Sequence, residues 1–394
     1  MISKVRYGAV ALLTVAAITA SGASSGRAAG SHTGAQAGNP IKIAVIEPYT
    51  GGTSYFGKYA DEAWKLAMRK YGTSINGRPI QLVKYDEKCV PSSALEATKQ
   101  AVGTDVTAVF GPGCTGSVLA SLPTLASSGI PHVVIAFGTD VTQRGDKYLW
   151  RVQSTNATLN AALARYMASK HVKNFAVVHD TTAYSTDLAT TITAAARAKA
   201  LNPGPDLTYA FGATDFSGQI EKLKSSNVQN VYLGGYDTDV GRFVAQARQL
   251  GLTAQFYGAV TFETPDFLDA ATKTAATGAV FMTDYVPAYK HPSVLSYTKA
   301  WENNFHRTPT TDTTSFYVAA SALIKALKVA GTHLTRTSVN QALGRLKLKN
   351  TPFGNVSFTA NGNLRCPAVF IAQWLAGGKY KLLRNDSPKC AALP

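Results

Sequence analysis

Charged residues are scarce in this sequence, and no segment is strongly basic. Asp, Glu, Lys and Arg make up 16% of the 394 residues, and Lys and Arg never form a run of four although the formal net charge is +16. Basic residues are also not interleaved with aromatic ones, as they are in proteins that bind single strands. We therefore interpret the charge as a generally basic surface and expect no nucleic-acid partner. The alternative is a site for an acidic ligand or an anionic membrane surface.

Motifs for catalysis and cofactor binding are missing too. Residues 52–59 (GTSYFGKY) approach the phosphate-binding P-loop, but Tyr59 stands where that loop needs a Ser or Thr hydroxyl for Mg²⁺. Residues 22–26 (GASSG) match the spelling of a nucleophile elbow, yet no strand precedes them. No G-x-G-x-x-G follows the strand-like run at 41–47, and the seven histidines show no metal-ligand spacing. The sequence thus predicts neither an enzyme nor a cofactor or metal site.

Cysteine is rare, and the absence of any C-x-x-C pair argues against zinc. The four cysteines are Cys89, Cys114, Cys366 and Cys390. An even number suggests two disulfides formed in an oxidising compartment. Of the three possible pairings we expect the sequence-local one, which joins cysteines 25 and 24 positions apart. The alternative is an exported hydrolase in which Cys114, at the start of a predicted helix, is a nucleophile activated by His132 or His179.

Residues 1–39 have the pattern of an export signal followed by a flexible linker. Lys4 and Arg6 precede an apolar stretch at 9–20 that is too short to span a bilayer comfortably, and 21–23 (SGA) form a small-x-small cleavage signal. No cysteine follows for lipid attachment, and no later apolar stretch approaches 18 residues. We expect a soluble, exported protein, periplasmic or extracellular, without a lipid anchor.

Strand-like and helix-like segments alternate along the rest of the chain with the regularity of βαβ units. Predicted strands fall at 41–47, 80–86, 106–110 and 132–136, and, after a connector at 149–154, at 175–179, 207–211, 230–233, 256–259 and 278–283. Three helical patterns follow between 292 and 347, and then a short β ending at 355–359 and 368–374. Apolar strands of this kind are typical of parallel sheets, and the length suits two domains. We predict the α/β class, with two Rossmann-like parallel α/β lobes.

Ligands of open parallel sheets bind beyond the carboxyl ends of the strands. The loops at these ends are 50–52, 111–117, 137–139, 180–184 and 234–237, and they are rich in glycine, hydroxyl and aromatic residues. Glycine lets backbone N–H groups approach a ligand, and a helix that starts at Thr115 or Ser117 offers N–H groups to an anion. A polar ligand is therefore expected at these loops.

These loops and their flanks resemble the leucine/isoleucine/valine-binding proteins, of the type I periplasmic binding fold. The resemblance extends from 41 to about 378, and its most specific segments are 83–86 (VKYD) running into Cys89, 111–114 (GPGC), 178–180 (VHD) followed by Tyr184, 214–217 (TDFS), 234–236 (GGY), and 246–248 (QAR) with 251–252 (GL). It implies a monomer that captures a small molecule in an interlobe cleft and passes it to the membrane permease of an ABC importer. A ligand-binding sensor subunit is the alternative on the same fold.

The resemblance also implies how the chain is divided. Three crossover segments are expected near Ser154, Asp284 and Cys366. Residues 40–154 with 285–366 then form one lobe, and residues 155–284 with 367–394 form the other. The disulfide Cys89–Cys114 is implied as well.

A set of ligand-binding residues is carried over by the same resemblance: Phe56, Thr115, Ile135, Ala136, Phe137, Gly138, Tyr184 and Tyr236. Thr115 matches the position whose hydroxyl and N–H hold a ligand carboxylate. Ile135 and Phe137 match positions whose backbone groups hold the ammonium and the carboxylate. Phe56 matches an aromatic residue over the ligand side chain, and the two tyrosines match residues that close from the second lobe.

The chain departs from the family pattern at Val260. There the family has an acidic residue that pairs with the ligand ammonium, whereas residues 255–258 (QFYG) are followed here by 259–261 (AVT). A buried ammonium without a counter-charge is costly. Either Glu263 or Asp237 substitutes, or the ligand is an apolar carboxylate or an amide. We expect deaminated ligands to bind at least as well as leucine.

Overall fold

The structure, a computed structural model, describes residues 38–393. The predicted export signal and all but the last two residues of the linker lie outside the described residues. The first series of elements consists of β1 (Ile41–Glu47), α1 (Tyr55–Tyr71), β2 (Ser74–Ile75), β3 (Arg78–Asp86), α2 (Pro91–Val102), β4 (Ala108–Phe110), α3 (Thr115–Ser128), β5 (His132–Val134) and β6 (Leu149–Arg151). They form a six-stranded sheet in the order β2-β3-β1-β4-β5-β6, which is parallel except for the β2–β3 pair.

A second sheet is built from the middle and the end of the chain. The middle of the chain contains α4 (Asn156–Ser169), β7 (Asn174–Asp180), α5 (Ala183–Arg197), β8 (Asn202–Tyr209), α6 (Ser217–Ser225), β9 (Asn230–Gly234), α7 (Asp237–Gln249), β10 (Gln255–Gly258), α8 (Pro265–Ala271), α9 (Lys273–Ala276) and β11 (Val280–Thr283). Then come α10 (Pro292–Phe305), α11 (Thr311–Ala330), α12 (Arg336–Gly344), β12 (Leu348–Thr351), β13 (Gly354–Val356), β14 (Phe370–Leu375) and β15 (Lys379–Asn385). The sheet order is β15-β14-β11-β10-β9-β7-β8.

The predicted α/β class with two parallel-sheet lobes is confirmed. The chain passes from the first sheet to the second after β6, leaves it after β11, and returns with β14, which pairs antiparallel with β11. The sequence reading missed β6, α4 and the edge strand β15. The connector assigned to 149–154 contains β6, whose three residues pair with β5.

Helix α11 is the central helix of the first lobe. Its start is fixed by a capping box, in which the Thr310 side chain accepts from Thr313 N and the Thr313 side chain accepts from Thr310 N. Residues from Thr311 to Ile324 are buried on every face of the helix, and α11 packs against α1. A helix that is buried all round must lie within a core rather than on its surface.

Both expected disulfides are present. Cys89 and Cys114 have Cα atoms 5.4 Å apart, and Cys366 and Cys390 have Cα atoms 5.7 Å apart. The first bond ties the start of α2 to the start of α3, and the second ties the chain before β14 to the turn after β15. Among residues 38–393, no helix has the length and apolar character needed to cross a bilayer.

Arg151, the last residue of β6, is fully buried and organises the loop that follows β5. Its guanidinium donates to the carbonyl oxygens of Ala136 (3.2 Å) and Gly138, to Thr142 Oγ1 (3.0 Å), and to Asn363 Oδ1 (3.0 Å from Nε). Burial lowers the pKa of Arg151 to about 10, so the group is still charged at neutral pH. The planar, multidentate donor set is one that lysine cannot reproduce.

We therefore expect Arg151→Lys to lower the free energy of unfolding by about 2–4 kcal/mol, because several buried acceptors lose their donors. Chemical denaturation measures the change. The matched control is Arg242→Lys, at a partly exposed arginine whose contact to Asp239 is 3.8 Å. Equal effects of the two substitutions would contradict the organising role of Arg151.

Candidate ligand-binding site

A small cavity lies where the carboxyl ends of both sheets meet. Its free space is at most about 360 Å³, a figure that includes open space at its mouth. The residues that line it are Phe56, Gly113, Thr115, Ile135, Phe137, Tyr184, Tyr236, Val260, Thr261 and Asp312. Phe56 lies on α1, the next four follow β4 and β5, and the others come from α5, the loops after β9 and β10, and the start of α11. A ligand in the cavity would contact both lobes.

Most of the residues expected at the site lie at this cavity, and three do not line it. Ala136 is buried with its carbonyl oxygen bound to Arg151. Gly138 lies behind Thr115, and its N–H donates to Thr115 Oγ1 at 3.2 Å. Glu263 accepts from Thr311 N (2.8 Å) and from the Tyr380 hydroxyl (3.2 Å). Its carboxylate therefore links the two lobes beside the cavity.

Thr115 is held by a close approach between two loops. A Cβ atom at position 138 would lie 2.3 Å from Thr115 Cγ2, so only glycine fits there. Because Thr115 Oγ1 already accepts from Gly138 N, its hydroxyl proton is free to point at a ligand. The first N–H groups of α3 lie beside it, and they favour a negatively charged atom.

Glu87 already accepts hydrogen bonds from some of the N–H and O–H groups at the start of α3. Its carboxylate accepts from Cys114 N at 3.3 Å and from the Ser117 hydroxyl. Burial raises the pKa of Glu87 to about 7, and burial together with the charge of Glu87 raises the pKa of Glu47 well above its usual range. Two buried carboxyl groups behind α3 thus limit how much negative charge a ligand can add here.

Aromatic rings form the wall on the side of the second sheet. The Tyr184 and Tyr236 ring centroids are 5.2 Å apart, and the Phe137 ring lies 6.3 Å from that of Tyr184. The Tyr236 hydroxyl lies 3.4 Å from Cys89 Sγ, across the cleft. Within residues 38–393, the buried hydroxyls of Tyr184 and Thr261 have no hydrogen-bond partner. Buried polar groups are normally paired, and these two hydroxyls are free to bind a polar group placed in the cavity.

Hydrogen bonds across the cleft hold the two lobes together. The Tyr55 hydroxyl on α1 donates to Asp237 Oδ2 at the start of α7 (2.5 Å), and the Tyr59 hydroxyl donates to Asp266 Oδ2 at the start of α8 (3.2 Å). Asp237 is therefore bound to Tyr55 and does not line the cavity. The structure shows the cleft closed.

Asp312 is the acidic residue that does line the cavity, and the sequence reading missed it. It lies in the first turn of α11 and is 4% exposed. Burial, and then the nearby charge of Asp237, raise the pKa of Asp312 well above its usual range. Its one sequence signal is an acid among four threonines at 310–314, directly before an apolar helix. The acids that the sequence suggested as partners of a ligand ammonium were only those close to Val260 or in a loop after a strand.

Metal-ligating side chains are not clustered in the part of the chain that the structure describes. No group of three or more His, Cys, Asp or Glu side chains between residues 38 and 393 is arranged to hold a metal ion. The cavity contributes one carboxylate, several hydroxyls and aromatic rings. These groups can bind and orient a small organic molecule.

We expect Tyr55→Phe to favour the open cleft, because Asp237 would stay buried without its donor in the closed state. Ligand affinity should fall about tenfold, and small-angle scattering of the ligand-free protein should give a larger radius of gyration. The control is Tyr166→Phe, which removes the same atom from α4, away from the cavity lining. An unchanged radius and affinity in Tyr55→Phe would show that this bond does not hold the lobes together.

Stability should depend on pH through Glu263. Burial raises the pKa of Glu263 to about 8 from an ordinary 4.5, so between these values the folded protein holds a proton that the unfolded chain releases. The stabilisation is complete below pH 4.5 and is lost as the pH rises to 8, by about 1.4 kcal/mol for each pH unit. Glu263→Gln should make this slope shallower by the contribution of Glu263 alone in denaturant unfolding between pH 5 and 8, because Glu87 and Asp312 also have raised pKa values and keep their contributions. The exposed Glu221→Gln should leave it unchanged, and equal slopes in all three proteins would refute the assignment.

Comparison with known proteins agrees with the fold. The family model described as "Periplasmic binding protein" matches residues 40–379. The chain is similar to the leucine-, isoleucine-, valine-, threonine-, and alanine-binding protein of Pseudomonas aeruginosa, with 25% identity over 88% of this chain and 93% of that protein. Solved structures with this fold include a leucine-binding protein from Thermotoga maritima (TM-score 0.82, 24% identity, 89% of this chain and 99% of that chain). Another is a solute-binding protein from R. palustris in complex with benzoate (TM-score 0.82, 20% identity, 89% and 97%). Because the family model matches most of this chain, the chain belongs to the periplasmic binding protein family.

Proposed function

We propose that this protein is the extracytoplasmic solute-binding component of an ABC importer. It captures a small amino-acid-like molecule, or an apolar carboxylate or amide, by closure of the cleft. It then presents that molecule to a membrane permease as a monomer. The observation that carries the proposal is the cavity itself, which is small, lies between two sheets and is lined by residues from both lobes. The names of the relatives, which refer to aliphatic amino acids and benzoate, favour a ligand of this size.

The proposed lobes are 40–154 with 285–366, and 155–284 with 367–394. In support, the three passages between the sheets contact one another at the proposed hinge. Ser154 N donates to Asp284 Oδ2 at 3.1 Å, and Ser154 Oγ donates to the carbonyl oxygen of Ala368 at 3.1 Å. Short segments that are hydrogen-bonded together can absorb the backbone rotation of a hinge while the lobes move as units.

We also propose that the ligand is bound without chemical conversion. Cys114 was the one nucleophile that the sequence put forward, and its sulfur is bonded to Cys89. A disulfide sulfur cannot act as a thiolate. Binding energy in the cavity is then available for closing the cleft.

The ligand contacts proposed from the resemblance place a carboxylate or a carbonyl oxygen at Thr115. They assign the backbone groups of Ile135 and Phe137 to the ammonium and carboxylate of the ligand. Phe56, Val260, Tyr184 and Tyr236 enclose its apolar part. The close packing of Gly138 against Thr115 supports this arrangement, because it fixes the direction of the hydroxyl group.

The test is to identify the ligand and then to weaken its contacts. Denaturing the purified protein should release one small molecule, detected by mass spectrometry, and adding it back to ligand-free protein should reduce the radius of gyration. Thr115→Ala should weaken binding by about 1–3 kcal/mol in calorimetric titration if the hydroxyl meets a charged group. Thr115→Ser keeps the hydroxyl and is the matched control. Capture by closure would be contradicted if the ligand-free protein is open and its radius of gyration stays the same when the ligand binds saturably.

A further inference from the structure

The cavity has one charged side chain and no cationic one among its lining residues. That side chain is Asp312, and the rest of the lining is aromatic, aliphatic, glycine or hydroxyl-bearing. A ligand inside this cavity therefore meets Asp312 as the one carboxyl group of the lining.

Asp312 has no protein partner. The structure records no hydrogen bond or ion pair to its carboxylate from any residue between 38 and 393, although the residue is 4% exposed. The nearby acids differ in this respect. Asp237 accepts from Tyr55, Asp266 accepts from Tyr59, and Glu263 accepts from Thr311 and Tyr380. Of these four carboxyl groups, Asp312 alone faces the cavity and lacks a donor.

Two basic residues of this region, Arg151 and Arg307, are already engaged elsewhere. Arg307 forms an ion pair with Glu62, and its guanidinium lies 4.6 Å from the ring centroid of Tyr59 and 5.4 Å from that of Trp301. It holds α1 against the end of α10. Asp312 must therefore be neutralised by a proton or by the ligand.

The surroundings of Asp312 suit a cationic nitrogen. An unpaired carboxylate in a dry site is costly, and a cation that binds there removes the cost. The rings of Phe56, Phe137, Tyr184 and Tyr236 line the same cavity, and aromatic faces attract ammonium groups. An anionic ligand without nitrogen would bring a second negative charge into the same small space.

We infer that Asp312 sets the charge of the ligand by pairing with an ammonium group, so the ligand is a small apolar amino compound and not a deaminated carboxylate. This inference rests on the proposed function and narrows its ligand class. It also reverses the expectation drawn from Val260. The counter-charge missing at position 260 is supplied from α11 in the first lobe, whereas the acids considered in the sequence, Glu263 and Asp237, are held by other partners.

The test compares ligands that differ in one charged group. Calorimetric titration would use leucine and phenylalanine, their deaminated analogues 4-methylpentanoate and 3-phenylpropanoate, and the decarboxylated 3-methylbutylamine. Wild type should bind the amino compounds at least about tenfold more tightly than the deaminated acids. In Asp312→Asn this preference should disappear, because the amino compounds lose affinity while the acids gain it.

Asp269→Asn is the matched control, since it makes the same change at an exposed acid of α8 outside the cavity lining. It should keep the wild-type preference. Asp312→Ser, which suits the first turn of a helix, is the second variant if Asp312→Asn does not fold. Thermal melting of each variant reports on folding.

Two results would overturn the inference while leaving solute capture intact. One is equal or tighter binding of the deaminated acids by wild type, and the other is the same ligand preference in Asp312→Asn and Asp269→Asn. The inference would also be overturned if the purified protein released a molecule without basic nitrogen, and if that molecule bound again and closed the cleft. If no compound of the series binds and no molecule is released, the proposed function fails and the inference fails with it.

Discussion

One buried guanidinium holds together the parts of the chain on which the cavity depends. Arg151 binds the carbonyl oxygens of Ala136 and Gly138, and thereby fixes the loop that carries Phe137. Through Gly138 it fixes Thr115, because the N–H of Gly138 donates to the threonine hydroxyl. Asn363, a further partner of Arg151, lies on the segment that leads back to the second sheet. A buried charge with a full set of acceptors specifies one conformation, since any other leaves the charge unpaired.

Acidic side chains lie on both sides of the cleft, and closure changes their hydrogen-bond partners. Asp237, Asp266 and Glu263 each accept a hydrogen bond from a residue of the first lobe or its central helix when the cleft is closed. In the open state those carboxylates would be hydrated. Closure exchanges water for donors from the other lobe, so the net gain is small and the two states lie close in free energy. A ligand with modest differential affinity is then enough to select the closed state.

The sequence predicted the succession of strands and helices well because parallel α/β units carry strong local signals. Apolar strands, glycine-rich turns and helix starts placed Thr115, Phe137, Tyr184 and Tyr236 at the correct ends of their strands. The strand β15 escaped prediction because it is polar and lies at a sheet edge, where only one neighbour constrains it. Asp312 escaped because its role depends on where α11 packs, and no local pattern around residue 312 encodes that position.

The way the sheets are assembled has a consequence for the timing of folding. The strands of the first sheet lie between residues 41 and 151, but α11, which fills that lobe, begins at Thr311. The second sheet is completed by β14 and β15, which end at Asn385. Neither lobe can therefore bury its core until the ribosome has synthesised most of the chain. During synthesis the nascent polypeptide stays unfolded for longer than one made of sequential domains, and its apolar strands stay exposed for that time.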